Sequence, residues 1–196
     1  MALLFNHSAY AGSKTTNAIL VLGDSLSSAY GINTNEGWVA LLQQQISDNN
    51  LAYTMVNASV SGDTTRTGLS RIGAALETHS PSIVIIALGG NDGLRGLPFS
   101  EMESSLGKII NLCQDNNAKV LLAGVRLPPN YGPAYNQRFA NIYEKLAIRY
   151  DVPLVPQILS QVADRRELIQ ADGIHPKAAA QPQIVKNIWV GLKSIL

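Results

Sequence analysis

The chain carries little net charge. Its 196 residues include 15 basic and 14 acidic side chains, which leaves a formal charge of +1 at pH 7. Because a nucleic-acid-binding protein needs a basic surface to neutralise phosphates, no nucleic-acid partner is expected. The chain also lacks an uninterrupted apolar run of about 18 residues, the length that a membrane-spanning helix requires, so no stable membrane insertion is expected either.

Cysteine is almost absent as well. The single Cys113 excludes an intrachain disulfide. It continues an apolar stripe of helical spacing that includes Met102, Leu106 and Ile109. The sequence therefore predicts a cysteine packed in the core.

Motifs for cofactors are missing too. No P-loop and no Gly-x-Gly-x-x-Gly follows a predicted strand, which argues against nucleotide binding. Asp63 and Asp92 have no histidine or cysteine at metal-ligand spacing. No cofactor and no metal site is therefore predicted.

The first 17 residues are predicted to lie outside the domain. Ala9-Tyr10-Ala11 has the small-x-small form of a signal-peptidase site, but no basic segment precedes it. Two interpretations stay open, a truncated secretory signal and a disordered or cloning-derived leader. Residues 18–196 show no linker, repeat or charge run, which predicts a single domain.

The remaining sequence alternates between strand and helix patterns. Apolar, β-branched runs predict strands at 18–23, about 53–58, 83–88, 119–125 and 152–155. Apolar residues at helical spacing predict helices around Leu69–Leu76, Met102–Cys113, Phe139–Tyr150 and Ile184–Ile195. This alternation predicts an α/β fold, with a parallel sheet covered by helices on both faces.

The loops after the first three predicted strands hold the candidate catalytic residues. Ser25 follows the first strand, Gly62 the second and Asn91 the third. Parallel strands all end at the same edge of a sheet, where open α/β proteins bind their ligands. We therefore expect Ser25 as a nucleophile near amide donors from Gly62, the Asn91 side chain and Ser25 itself, with Asp24 stabilising the turn.

A serine nucleophile needs a base, and His175 is the best candidate. His7 lies in the leader, and His79 is expected to end a helix. Asp172 precedes His175 by three residues across Gly173, so its carboxylate can orient the imidazole, and Pro176 should keep the histidine extended. The alternative for Asp172 is a cap of the last helix.

Two loops at this edge contain apolar residues. Gly93–Phe99 includes Leu94, and 126–131 includes Leu127. They are expected to form a groove for short or medium acyl chains, with the first loop as a mobile wall. The alternative is a pair of ordinary surface loops.

Four ordered motifs give the chain a family resemblance. They are Gly23-Asp24-Ser25-Leu26-Ser27, Gly62, Gly90-Asn91-Asp92 and Asp172-Gly173-Ile174-His175-Pro176. From about 18 to 190 the chain resembles the SGNH hydrolases, also called GDSL esterases and lipases, and in particular their bacterial thioesterase, protease and lysophospholipase branch.

The resemblance implies a role for each candidate. Ser25 would be the nucleophile, His175 the base and then the acid, and Asp172 the orienting carboxylate, while Gly62, Asn91 and the Ser25 amide would form the oxyanion hole. It also implies a three-layer fold with a five-stranded parallel sheet of flavodoxin-like strand order.

The expected activity is hydrolysis of aryl esters, acyl thioesters or lysophospholipids in the periplasm or outside the cell. A carbohydrate or peptide deacetylase and a non-catalytic flavodoxin-like binding module are the alternatives.

Overall fold

The computed structural model describes residues 17–196. The predicted leader therefore lies outside the described residues, except for Asn17, with which the first strand begins.

The core of the fold is a five-stranded parallel sheet with strand order β2-β1-β3-β4-β5. The strands are β1 (Asn17–Gly23), β2 (Tyr53–Asn57), β3 (Ile83–Ala87), β4 (Lys119–Ala123) and β5 (Leu154–Val155). The predicted fold is confirmed. Because the chain leaves β1 toward one side and β3 toward the other, the strand order reverses between them, where open sheets form a ligand-binding crevice.

Helices cover both faces of the sheet. They are α1 (Trp38–Asp48), α2 (Thr65–His79), α3 (Gly90–Leu94), α4 (Phe99–Asp115), α5 (Pro133–Tyr150) and α6 (Gln181–Leu192). Helices α2, α4 and α5 pack on one face, and α1 and α6 pack on the other. None of the helices within residues 17–196 is long and apolar enough to cross a membrane.

Alternate residues of the central strands enter the two cores. Leu20 and Leu22 face α2, α4 and α5, whereas Ile19 and Val21 face α1 and α6. All four are fully buried. A strand that is buried on both faces has no polar positions, which explains the continuous apolar runs in the sequence.

Several elements differ from the predictions, among them α1 and β5. Helix α1 is not among the predicted elements, although Trp38 and Leu42 bury its inner face. Strand β5 starts at Leu154 rather than at 152, because Pro153 has no N–H to donate to the sheet. The predicted burial of Cys113 is confirmed, since its exposed fraction is 0%.

Candidate active site

The candidate catalytic residues meet at the carboxyl edge of the sheet. Ser25 and Gly62 lie in the loops after β1 and β2, Asn91 lies in the short helix α3 that follows β3, and His175 comes from the loop between β5 and α6. A groove of about 670 Å³ opens at this edge, and all four residues line it. The fold thus assembles residues that are far apart in the sequence.

Ser25 stands in a tight turn directly after β1. The carbonyl of Asp24 accepts hydrogen bonds from the amides of Ser27 (3.1 Å) and Ser28 (3.0 Å) and so closes this turn. Ser25 Oγ lies 2.9 Å from His175 Nε2. The neighbouring serines are turned elsewhere, because Ser28 Oγ pairs with Ser61 Oγ at 2.7 Å and Ser27 is 2% exposed. Of these serines, Ser25 is the one in contact with the imidazole.

Asp172 binds both the imidazole of His175 and the backbone of the loop that carries it. Asp172 Oδ2 lies 2.6 Å from His175 Nδ1, while Oδ1 accepts the amides of Ile174 (2.9 Å) and His175 (3.0 Å). Gly173 makes this turn possible with a φ of +75°. Desolvation raises the pKa of Asp172, but these hydrogen bonds outweigh it and lower that pKa to about 2. The interpretation of Asp172 as a helix cap is wrong, because α6 begins only at Gln181.

Two residues that the sequence analysis did not single out support His175. The ring of Tyr30 lies 4.5 Å from the imidazole, centroid to centroid. Gln170 Nε2 donates to the carbonyls of Tyr30 (2.9 Å) and Pro176 (3.0 Å). The backbone N–H of Gln170 donates to the His175 carbonyl at 2.7 Å. Gln170 therefore joins the Tyr30 loop to the histidine loop.

Asn91 lies in the first turn of α3. Gly89 leads into this turn with a φ of +117°, a conformation that favours glycine. Asn91 Nδ2 donates to the carbonyl of Asp63 at 2.9 Å and faces Asp24 Oδ2 at 3.4 Å. The side-chain amide is thus held between the loops that follow β1 and β2.

Arg95, directly after α3, connects two of the candidate oxyanion donors. Arg95 Nη2 donates to the Gly62 carbonyl at 2.9 Å and lies 3.5 Å from Asn91 Oδ1. Gly62 has a φ of +85°, so a side chain there would be strained. Arg95 cannot be identified from the sequence alone, since a single arginine carries no motif.

Two acids of the motifs are buried beside the site. Asp92 is 2% exposed, and its carboxylate accepts the amide (2.9 Å) and hydroxyl (2.6 Å) of Thr65 at the start of α2. Asp24 is 4% exposed, and Asp24 Oδ1 accepts the amide of Leu26 at 3.0 Å. Asp24 thus stabilises the turn, as expected.

Leu94 and Leu127 both line the groove, but they differ in burial. Leu94 is half-buried, whereas Leu127 is 2% exposed and packs in the core. The Leu94 loop is anchored rather than free along its first part, because Tyr131 Oη donates to the Leu94 carbonyl (2.8 Å) and Tyr135 Oη to the Gly93 carbonyl (2.9 Å). Leu94 therefore forms a wall of the groove and Leu127 its floor.

The site contains no arrangement of metal ligands in the part of the chain that the structure describes. Residues 17–196 hold no group of three or more histidine, cysteine, aspartate or glutamate side chains that could bind a metal ion.

Comparison with known proteins gives consistent matches. The profile of the family described as "GDSL-like Lipase/Acylhydrolase family" matches residues 21–181. The esterase TesA of Pseudomonas aeruginosa is 46% identical over 178 residues, which cover 91% of this chain and 89% of the relative. Thioesterase 1/protease 1/lysophospholipase L1 of Escherichia coli strain K12 is 44% identical over 168 residues, 86% of this chain and 79% of the relative.

The fold is matched equally well. The crystal structure of TesA superposes on this structure with a TM-score of 0.91 and 46% sequence identity, and the match covers 92% of this chain and 100% of that one.

Proposed function

Because this chain belongs to the GDSL-like lipase/acylhydrolase family and is a hydrolase of ester bonds, we propose that it cleaves carboxylic esters and thioesters through an acyl-enzyme on Ser25. One observation carries the proposal: Asp172, His175 and Ser25 form an unbroken hydrogen-bonded chain, with distances of 2.6 and 2.9 Å. This series of hydrogen bonds is the arrangement that activates a serine hydroxyl at neutral pH.

In the acylation step, Ser25 Oγ forms a bond to the carbonyl carbon of the substrate while its proton passes to His175 Nε2. The tetrahedral intermediate then collapses, and the same proton moves to the departing alcohol or thiol. Asp172 stays ionised and stabilises the imidazolium that exists between the two transfers. Water, activated by His175 in the same way, releases the acid from Ser25.

The carbonyl oxygen becomes negative as the bond to Ser25 forms. Three donors at the groove are proposed to stabilise it, namely the amides of Ser25 and Gly62 and Nδ2 of Asn91. The 3.4 Å contact of Asn91 Nδ2 with Asp24 is long for a hydrogen bond, so this N–H can be shared with the oxyanion while Asp24 and the Asp63 carbonyl keep the amide in place.

The groove supports acyl chains longer than acetyl. Its walls beyond Asn91 are largely apolar and include Leu94, Val125, Pro128 and Leu159. An acetyl group would leave most of the 670 Å³ empty, so the geometry favours short to medium acyl chains over a deacetylase. The names of the relatives support thioesters and lysophospholipids as substrates. The periplasmic or secreted location stays a prediction.

Labelling with a fluorophosphonate tests the nucleophile. The wild-type protein is expected to form a stoichiometric adduct on Ser25, since the activated hydroxyl attacks phosphorus as it attacks a carbonyl carbon. Intact-protein mass spectrometry measures the adduct, and peptide mapping locates it. Ser25→Ala should not be labelled.

Ser28→Ala is the matched control, because Ser28 lies in the same turn but bonds to Ser61 instead of His175. It should be labelled like the wild type. Absence of wild-type labelling under conditions of ester turnover would contradict the proposed function.

Truncation of Leu94 tests the acyl groove. Leu94→Ala removes apolar surface that a medium acyl chain would contact, so the ratio of kcat/KM for octanoyl over acetyl p-nitrophenyl esters should fall by roughly three- to tenfold. Leu97→Ala is the control, because Leu97 belongs to the same loop but does not line the groove. An unchanged ratio in Leu94→Ala would place the acyl chain elsewhere.

A further inference from the structure

The buried carboxylate of Asp24 contacts both halves of the proposed site. One oxygen, Oδ1, accepts the amide of Leu26 at 3.0 Å and so fixes the turn that carries Ser25. The other, Oδ2, faces Asn91 Nδ2 at 3.4 Å. A single side chain therefore joins the nucleophile turn to a candidate oxyanion donor.

We propose that Asp24 is a positioning residue for catalysis, which holds the Asn91 amide in register with the Ser25 turn and does so only as an ionised carboxylate. The inference rests on the proposed function, in which Asn91 donates to the oxyanion. Asp24 itself does not touch the substrate carbonyl in this scheme.

The hydrogen-bonding chemistry explains why the charge is needed. Two N–H donors, from Leu26 and Asn91, point at the two oxygens of Asp24. An ionised carboxylate offers acceptors at both oxygens. An amide presents a donor at one of the two positions, and there it would meet another donor in a site with little access to water. A protonated carboxyl keeps an acceptor at both oxygens, but its hydroxyl oxygen is a weaker acceptor than a carboxylate oxygen. The ionised form therefore suits both neighbours best.

Several ionisable groups face Asp24 from the surrounding elements. They are His175 in the loop before α6, Asp63 in the loop after β2, Asp92 on α3 and Tyr143 on α5. Asp63 is paired with Arg71 of α2 at 2.6 Å. Burial raises the pKa of Asp24 to about 6, the Leu26 amide and His175 lower it, and the two aspartates raise it further.

The raised pKa means that ionised Asp24 lowers the stability of the folded protein. In the unfolded chain the carboxyl loses its proton near its ordinary pKa of 3.8, but in the folded protein it keeps the proton until about pH 6. The free energy of unfolding of the wild type, relative to Asp24→Asn, should therefore decrease as the pH rises from about 4 to about 6. A carboxylate at this position works against stability at neutral pH, as is common for functional groups.

The test compares Asp24→Asn with the wild type. We expect kcat to fall by roughly 10- to 100-fold while KM changes by less than about threefold, because the misplaced Asn91 bond forms mainly in the transition state. The pH profile supplies the second readout. In the wild type, protonation of His175 and of Asp24 both remove activity, so log(kcat/KM) should fall toward low pH more steeply than one proton allows. In Asp24→Asn the slope should be that of one proton.

Asp92→Asn serves as the matched control for this slope. Asp92 is as buried as Asp24, but its carboxylate bonds to Thr65 rather than to Asn91. Its replacement should lower the stability and leave the two-proton slope in place. If Asp24→Asn also kept that slope, or kept the wild-type kcat, Asp24 would have a structural role alone.

A double-mutant cycle tests the connection to Asn91 directly. In an Asn91→Ala background the donor is gone, so Asp24→Asn should cost less than about threefold in kcat. An equal cost in both backgrounds would overturn the proposal. If Asp24→Asn does not fold, the pH profile of kcat/KM of the wild type still tests the proposal, since a one-proton slope in the wild type would also overturn it. Fluorophosphonate labelling of the wild type separates these outcomes from a failure of the proposed function.

Discussion

Replacement of His175 by alanine is expected to lower kcat by about 10⁶, because the catalytic groups of such a triad act as a unit. Ser25 Oγ lies 2.9 Å from His175 Nε2, the nitrogen proposed to accept its proton. Without the imidazole, the proton of Ser25 has no acceptor during attack and the leaving group has no donor. The remaining rate should come from the oxyanion donors and from binding. Steady-state hydrolysis of a p-nitrophenyl ester measures the loss.

His79→Ala is the control for this variant. His79 ends α2 and does not line the groove, so its removal should leave kcat within about twofold of the wild type. A His175→Ala protein that retained more than about 1% of the wild-type kcat would show that another group accepts the serine proton.

The sheet could be predicted from the sequence because of how it is buried. Strands β1 and β3 have helices on both faces, so their apolar residues run without interruption and stand out from the surrounding sequence. Helix α1 was harder to recognise. Four of its 11 residues are fully buried and the other seven are partly or fully exposed, so its apolar stripe is short.

The candidate catalytic residues could also be predicted. Ser25, Asp172 and His175 belong to short, ordered motifs, and parallel topology brings strand-end loops together. The supporting residues were not predictable in this way. Gln170 and Tyr30 are bonded across a separation of 140 residues, and neither lies in a motif that indicates the contact.

Leu127 illustrates a second limit. An apolar residue in a loop at the sheet edge suits a ligand groove and a protein core equally well, because burial by ligand and burial by protein require the same side chain. The structure assigns Leu127 to both, as a core residue whose surface forms the floor of the groove.

The role proposed for Asp172 depends on which nitrogen of His175 carries the proton. Asp172 Oδ2 accepts from Nδ1 at 2.6 Å, which leaves Nε2 free to accept the proton of Ser25. In Asp172→Asn, the side-chain oxygen can keep the hydrogen bonds from the two backbone amides that Oδ1 accepts in the wild type. The side-chain nitrogen of the asparagine then faces His175 Nδ1. The ring must shift its proton to Nε2 to accept this bond, and Nε2–H cannot act as the base.

Asp172→Asn is therefore expected to lower kcat by about 10⁴. It should also lower the free energy of unfolding at neutral pH, because the lowered pKa of Asp172 means that the ionised carboxylate stabilises the folded protein. Because the pKa of Asp172 is lowered to about 2, the wild-type carboxylate stays ionised throughout the assay range, and no activity step from Asp172 should occur above about pH 4. Two-dimensional spectra of the ¹⁵N-labelled histidine provide the decisive readout, with the proton on Nδ1 in the wild type and on Nε2 in the variant. An Asp172→Asn protein with the proton still on Nδ1, or with kcat within about tenfold of the wild type, would mean that another group orients His175.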